Sequence, residues 1–141
     1  METIKIYLSG GMSSLDFEQQ SKWRQQIQDA IKFNYECEKK PIFFNPVQYF
    51  NFEETRHKTE YEAMEFDLNA LRNSDLVIVN FNDPKSLGTC AELAIAYEKR
   101  IPIIGINKEN KELHPWLECF CNRICITLKE AVEYIVEFYL N

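Results

Sequence analysis

The segment Ser86-Leu87-Gly88-Thr89-Cys90-Ala91-Glu92 sets a carboxylate where an apolar strand meets a helix. Leu76-Val77-Ile78-Val79 before it reads as a buried strand, and Ala91 to Tyr97 after it as a helix. Gly88 suits a tight turn and a close approach of the backbone to a ligand. Glu92 is then expected in the first helical turn, where unpaired N–H groups and the macrodipole favour its ionised form. An ionised carboxylate at the C-terminal edge of a parallel sheet is a candidate nucleophile or binding group. Thr89-x-x-Glu92 also fits a capping box, in which Glu92 only reaches back to the Thr89 backbone. Taken alone, the segment favours that cap.

Asp67 is the second carboxylate with chemical potential. On a helix read from Thr59 to Arg72, it lies roughly 80° from the centre of the apolar face formed by Tyr61, Met64, Leu68 and Leu71. That angle puts it at the rim between helix and sheet, where partial burial would raise its pKa and suit it to general-acid work. A lone Asp is more often a solvated boundary residue. Asp75 is expected to cap the turn before the third strand. Tyr7, near the end of the first strand, could stack on a ligand or simply pack against a helix. Gly10-Gly11 after it makes a tight turn with exposed amides but lacks the spacing of a dinucleotide or phosphate-loop fingerprint. Arg56-His57-Lys58 reads first as a solvated helix start and second as a phosphate or lid contact.

The elements that must position these groups alternate strand and helix throughout. Ile4–Leu8, Pro41–Phe44, Leu76–Phe81, Ile101–Ile106 and Ile124–Ile126 read as strands. Helices are expected from Asp16 to about Phe33, from Thr59 to Arg72, after Glu92, and at the end of the chain. The first carries Trp23, Ile27, Ala30 and Ile31 on its buried face, and the last Leu128, Val132, Ile135, Val136 and Tyr139. Continuous apolar strands between helices indicate an α/β fold with a parallel sheet covered on both faces. Right-handed crossovers make it a single-domain, doubly wound, five-stranded sheet of flavodoxin or Rossmann-like type spanning residues 1–141. The loops Ser9–Ser14, Asn45–Phe52 and Asn82–Glu92 should then line one pocket at the C-terminal strand edge.

Bulk properties narrow the partners. The 141 residues and 45% hydrophobic content suit one soluble core, with no apolar run of membrane-spanning length and no signal peptide, which implies a cytoplasmic protein. A net charge of −6 argues against nucleic acid or an anionic membrane as main partner, but a small phosphate-bearing ligand remains open. The five cysteines are read as reduced and mostly buried; Cys119, Cys121 and Cys125 lack paired zinc-knuckle spacing, even with His114 as a fourth group, so no metal is expected. Cys90, at a helix start, has no evident base beside it.

In order and spacing these residues resemble the nucleoside 2-deoxyribosyltransferase family and the related 2′-deoxynucleoside 5′-monophosphate N-glycosidases. The likeness rests on the opening strand with Tyr7 and Gly10, Asp67-Leu68-Asn69, Ser74-Asp75 before an apolar strand, and Gly88-Thr89-x-x-Glu92 with its Ala-rich helix. It implies that Glu92 attacks the anomeric carbon of a deoxyribosyl group, forming a glycosyl ester that passes to another base or to water with retention. Asp67 would help protonate the departing base, and Tyr7 would crowd the sugar against a 2′-hydroxyl. Asn122 aligns loosely with a residue reaching the sugar's 5′ end from a neighbouring subunit, which implies a homodimer or larger homo-oligomer. No cofactor is implied.

Ser86 divides the subfamilies. Enzymes of free nucleosides tend to carry Asp at this position, six residues before the nucleophile, and the monophosphate enzymes carry Ser. Against a phosphate stands the first loop, Gly-Gly-Met-Ser-Ser, with no nearby Arg; Arg24 lies further along on the first helix. Met12, Asn45, Tyr49 and Phe50 are expected to set base preference. The leading expectation is transfer of a deoxyribosyl group between bases, with Tyr49 to Phe52 as a water-excluding lid. Hydrolysis of a nucleoside 5′-monophosphate is the second reading, and a non-catalytic nucleotide-sensing module the third.

Overall fold

Side-chain alternation along β1 (Thr3–Gly10) divides the molecule in two. Ile6 and Leu8 are buried on one face of the strand, Tyr7 and Ser9 on the other. In the computed structural model, which describes residues 1–12, 15–49 and 58–141, β1 lies inside a five-stranded sheet. Its partners are β2 (Lys40–Phe44), β3 (Leu76–Asn80), β4 (Ile103–Ile106) and β5 (Arg123–Cys125). All pairings are parallel, in the order β2-β1-β3-β4-β5. That is the expected flavodoxin-like arrangement, with the order reversing between β1 and β3.

Helices α1 (Phe17–Asn34) and α5 (Leu128–Ile135) cover one face, where Trp23, Ile27, Ile31, Val132 and Ile135 meet Ile6, Leu8 and Ile78. Helices α2 (Glu60–Arg72), α3 (Leu87–Glu98) and α4 (Pro115–Phe120) cover the other, where Leu71, Leu93 and Leu117 meet Tyr7, Val77 and Val79. Both faces of β3 are therefore sealed, which is why its four residues Leu76–Val79 are all apolar and fully buried. No helix among the described residues is long and apolar enough to cross a membrane.

Helix starts follow from local chemistry. Asp16 and Gln19 form a reciprocal capping box on α1, and Thr59 and Thr127 cap α2 and α5 through bonds from Glu62 and Glu130 amides. His114 accepts from the Trp116 amide ahead of Pro115, opening the short α4, which its weak periodicity hid from sequence reading. After α5 the chain tightens into a π-helical turn, Val136–Leu140, and fully buries Leu140.

Three expectations are corrected. Helix α3 begins at Leu87, with Ser86 as its N-cap accepting from the Thr89 amide at 3.4 Å. Thr89 is thus inside the helix and cannot form a capping box with Glu92, which sits in the second turn. Tyr61 and Met64 on α2 are 68% and 48% exposed, so only Ala63 and Leu71 are fully inside that helix face. Asp75 caps no turn: its Oδ2 accepts from the Lys5 amide at 2.9 Å and ties β3 to β1.

Candidate active site

The site grows from the point where β1 and β3 part. Ser9 pairs with Val79 and Gly10 with Asn80, and beyond them the chain leaves toward α1 on one face and α3 on the other. Ser9 Oγ lies 3.3 Å from Glu92 Oε1 and donates to it. One strand therefore presents Tyr7 and Ser9, two residues apart on a single face, to the carboxyl on α3.

Part of the Glu92 side chain stays accessible, but its carboxyl lies deep. Burial pushes that carboxyl from 4.5 up to about 7; Tyr7 opposes the rise, Asp67 adds to it, and Arg24 and Ser9 oppose it. The helix dipole does not set Glu92's charge state, contrary to the sequence expectation, because the residue is a full turn inside the helix and desolvation dominates. Tyr7 Oη is buried and turned toward Glu92 without reaching good hydrogen-bond geometry. Desolvation, then Glu92 and Asp67, keep this phenol protonated, well above its usual range. Tyr7 also stacks on Phe44, with ring centroids 5.2 Å apart and planes at 13°.

Asp67 comes from α2, and its Oδ1 is buried with no hydrogen-bond partner. Burial raises this carboxyl from 3.8 to about 7, against the pull of Arg24. The rim position read from helical spacing thus has the expected consequence for its pKa. Glu92, Asp67 and Tyr7 act on one another electrostatically and form one cluster.

Arg24, further along α1 than the first loop, folds back over that loop's start. It is 0% exposed, and its guanidinium reaches over the end of β1. Nε donates to Leu8 O at 3.2 Å, Nη2 to Gly10 O at 3.3 Å, and Nη1 to Gln20 O. The signal was present: Gln20, Arg24 and Gln28 are all buried and repeat at the i, i+4, i+8 spacing beside the apolar Trp23-Ile27-Ile31 row.

The remaining candidates divide. At Gly10 a Cβ would meet Trp23 Cζ2 at 2.9 Å and Arg24 Nη2 at 3.4 Å, so the glycine leaves room for those side chains at the end of β1. Met12 is half-buried, and its carbonyl accepts from the Leu15 amide and the Gln20 side chain, which anchors the first loop. Gly88 takes no positive φ and makes no tight turn; it lies in the first turn of α3 with open space where a side chain would be. Asn45 uses its Oδ1 to accept from the Val47 amide at 3.1 Å, shaping the 3-10 turn at Pro46–Tyr49.

Asn122 is not brought to the site within one chain. It lies before β5 at the opposite sheet edge, where its Oδ1 accepts from the Ile103 amide at 2.9 Å. A cleft of about 540 Å³ lies there, lined by Tyr97, Arg100, Cys119 and Asn122, and neither carboxyl of the cluster borders it. The thiols are varied: Cys125 is buried, Cys119 exposed, and burial pushes Cys121 up to about 12. The expected contributions of Ser13, Ser14, Phe50, Phe52, Arg56 and His57, and of the Tyr49 side chain, lie outside the described residues.

Comparison with known proteins agrees with this fold. A conserved protein from Enterococcus faecalis V583 superposes with a TM-score of 0.71 at 16% identity, covering 96% of this chain and 98% of the other. A 2-deoxyribosyltransferase from Bacillus psychrosaccharolyticus gives 0.72 at 15% identity, with 92% and 91% covered. A CMP N-glycosidase from Clostridium botulinum gives 0.62 at 18% identity, with 96% and 99% covered. At these identities the likeness is one of fold. No curated protein matches the chain significantly in sequence. The model of the family described as nucleoside 2-deoxyribosyltransferase like matches residues 3–110, a span that includes Tyr7, Asp67, Ser86 and Glu92, and the chain belongs to that family.

Proposed function

We propose that the protein cleaves the N-glycosidic bond of a 2′-deoxynucleoside and transfers the deoxyribosyl group to another nucleobase. The observation that carries this reading is the pair of buried carboxyls, Glu92 and Asp67, each held near pKa 7 at the switch point of the sheet. A pair in that range shares one proton at neutral pH, so one member serves as nucleophile while the other serves as acid. Glu92 Oε attacks C1′, the C1′–N bond breaks, and its electron pair leaves with the base. Asp67 gives its proton to the departing base nitrogen. The acceptor base then attacks C1′ of the glycosyl ester, returns a proton to Asp67 and frees Glu92. Ser9 and the Tyr7 phenol steady the Glu92 carboxylate between steps. The family membership supports the chemistry, and the Bacillus structure carries the name of that activity.

Hydrolysis of a nucleoside 5′-monophosphate is the second reading. Ser86 Oγ accepts the Thr89 amide as the α3 cap and keeps its hydroxyl proton to donate, beside the open space at Gly88. The Clostridium structure is named for cleavage of a nucleotide. A homo-oligomer in which Asn122 completes a neighbouring site goes with either reading.

The test is chromatography of purified protein incubated with deoxynucleosides and their 5′-monophosphates, with and without an acceptor base. New nucleoside only when acceptor is present establishes transfer, and free base without acceptor establishes hydrolysis. Saturable binding with no turnover across the panel rejects both in favour of a sensor.

A further inference from the structure

We propose that Arg24 is a positioning residue of this site: it supplies the buried counter-charge that keeps one of the two carboxyls ionised, and it fixes the strand end that carries Ser9. The inference deepens the reading of Glu92 and Asp67 as a working pair and rests on it.

A fully buried guanidinium normally pairs with a carboxylate, because an isolated charge in the interior is costly. Among the described residues Arg24 has no such bond. Its hydrogen bonds go to the main-chain oxygens of Leu8, Gly10 and Gln20, and Trp23 lies under it with the ring centroid 4.8 Å from Cζ. Carbonyl dipoles orient the cation without cancelling its charge. Leu8 and Gly10 flank Ser9, whose hydroxyl donates to Glu92, so the same fork that holds the charge also sets the height of Ser9. Gly10 makes room for this: any Cβ there would press on Trp23 and Arg24 together.

The groups around the two carboxyls can be named element by element. β1 brings Tyr7 and Ser9, α1 brings Arg24, α2 brings Asp67 and α3 brings Glu92. On the loops over this edge, Asp83 lies beside Gly11, and Lys111 is turned to the Asn82 carbonyl oxygen. Among the described residues, the buried cluster holds one cation and two acids. Charge balance admits one ionised carboxyl, and the second keeps its proton. The count of buried charges thereby fixes the one-proton state that nucleophile and acid require. Burial lowers the Arg24 pKa to about 10 against the opposing pull of Glu92, Tyr7 and Asp67, so it stays a cation at neutral pH and draws both carboxyls toward the ionised form.

The experiment is a carbon-13 NMR titration of side-chain carboxyls in wild type, Arg24→Lys, Arg24→Gln and Arg24→Met. It needs no substrate, so it stands even if no turnover is found. The neutral variants are expected to raise the Glu92 midpoint by about one unit or more, and the lysine variant to leave it within about half a unit. The acid limb of base release, where turnover is present, should move by the same amount. A Glu92 midpoint unchanged in folded Arg24→Gln or Arg24→Met overturns the proposal. So does an Arg24→Lys midpoint that rises as far as the glutamine variant's.

Variants of Arg24 that do not fold are replaced by melting curves of Glu92→Gln, Asp67→Asn and the double variant. Removing both acids leaves the Arg24 charge unbalanced, so the double variant should melt below the sum of the single effects. Additive melting temperatures would reject the counter-charge.

Discussion

The two faces of β1 differ although their residues alternate on one strand. Toward α1 and α5, Ile6 and Leu8 join an apolar cluster, and the fully buried cation beside it, Arg24, donates to main-chain oxygens. Toward α2 and α3, Tyr7 and Ser9 meet two carboxyls, and Tyr7 Oη and Asp67 Oδ1 are buried without hydrogen-bond partners. Each side keeps buried polar atoms without partners, Trp23 Nε1 and Gln28 Nε2 on α1 and Tyr7 Oη and Asp67 Oδ1 on the other side, but among the described residues the paired buried carboxyls lie only on the second. The difference teaches where stability and chemistry are kept: a strand period of two lets a single element serve both without mixing them.

Substitution of the proposed nucleophile should break the comparison most sharply. Glu92→Gln is expected to lower base release by about 10⁴-fold or more, because in the proposed mechanism Asp67 serves as the acid and leaves Glu92 as the group that forms the glycosyl ester. Its circular dichroism spectrum should match wild type. Retention of activity within about tenfold would remove Glu92 from the chemistry.

Neighbours on β1 give the next largest effect. Leu8→Ala empties a fully buried position in the apolar cluster and should cost about 2–5 kcal/mol in urea unfolding. Tyr7→Phe removes a hydroxyl that makes no good hydrogen bond and should change stability by less than about 1 kcal/mol. It should instead raise the Glu92 pKa, since Tyr7 holds that carboxyl down. Equal destabilisation by the two would mean the faces do not divide as described.

The pH dependence of stability sharpens the same contrast. Glu92 and Asp67 have folded pKa values of about 7, above their ordinary values of 4.5 and 3.8. A raised carboxyl pKa means the unfolded chain releases its proton first. The associated stability is therefore complete below about pH 4 and is lost as pH rises through 7. Each shift amounts to at most about 3–4 kcal/mol, and to less for Asp67, which is partly open to solvent. Wild type should weaken between pH 5 and 8, and Glu92→Gln should weaken less, by calorimetry at a series of pH values. Parallel curves for the two proteins would show that Glu92 is not desolvated in the fold.

Much of this was legible in the chain because its signals are local. The apolar run at Leu76–Val79 and the helical stripes of α1 indicate the parallel sheet, whereas Glu92 and Asp67 read by spacing alone as a cap and a solvated boundary residue, and the family resemblance is what marks them as a pair of acids. Three features were hidden for physical reasons. Ser86 and Thr89 are both competent caps, and only backbone geometry decides that the helix starts four residues before Ala91. Glu92's charge state depends on the depth of its carboxyl under β1, a tertiary quantity that dipole reasoning at a helix start cannot supply. Arg24 looked remote because sequence distance from Gly10 measures nothing about a long side chain that folds back over the strand end.

The two ends of α3 carry the smallest expected effects and repeat the division in miniature. At the site end, Gly88 occupies a helical position with no positive φ and open space around its missing Cβ, where alanine would suit the backbone better. At the far end, Arg100 follows the Lys99 cap with φ at 58°, a left-handed conformation that glycine adopts without strain. Gly88→Ala should gain up to about 1 kcal/mol, and Arg100→Gly about 0.5–1 kcal/mol, each a rise of a few degrees in melting temperature. Their effects on turnover should differ. A methyl group at Gly88 intrudes where a ligand's polar end would meet the α3 amides, so Gly88→Ala should raise KM. Arg100→Gly, at the other edge of the sheet, should leave KM and kcat unchanged. If Gly88→Ala stabilises the fold with no change in KM, the open space at the start of α3 plays no part in binding, and the polar end of the substrate must lie elsewhere along the β1–β3 crevice.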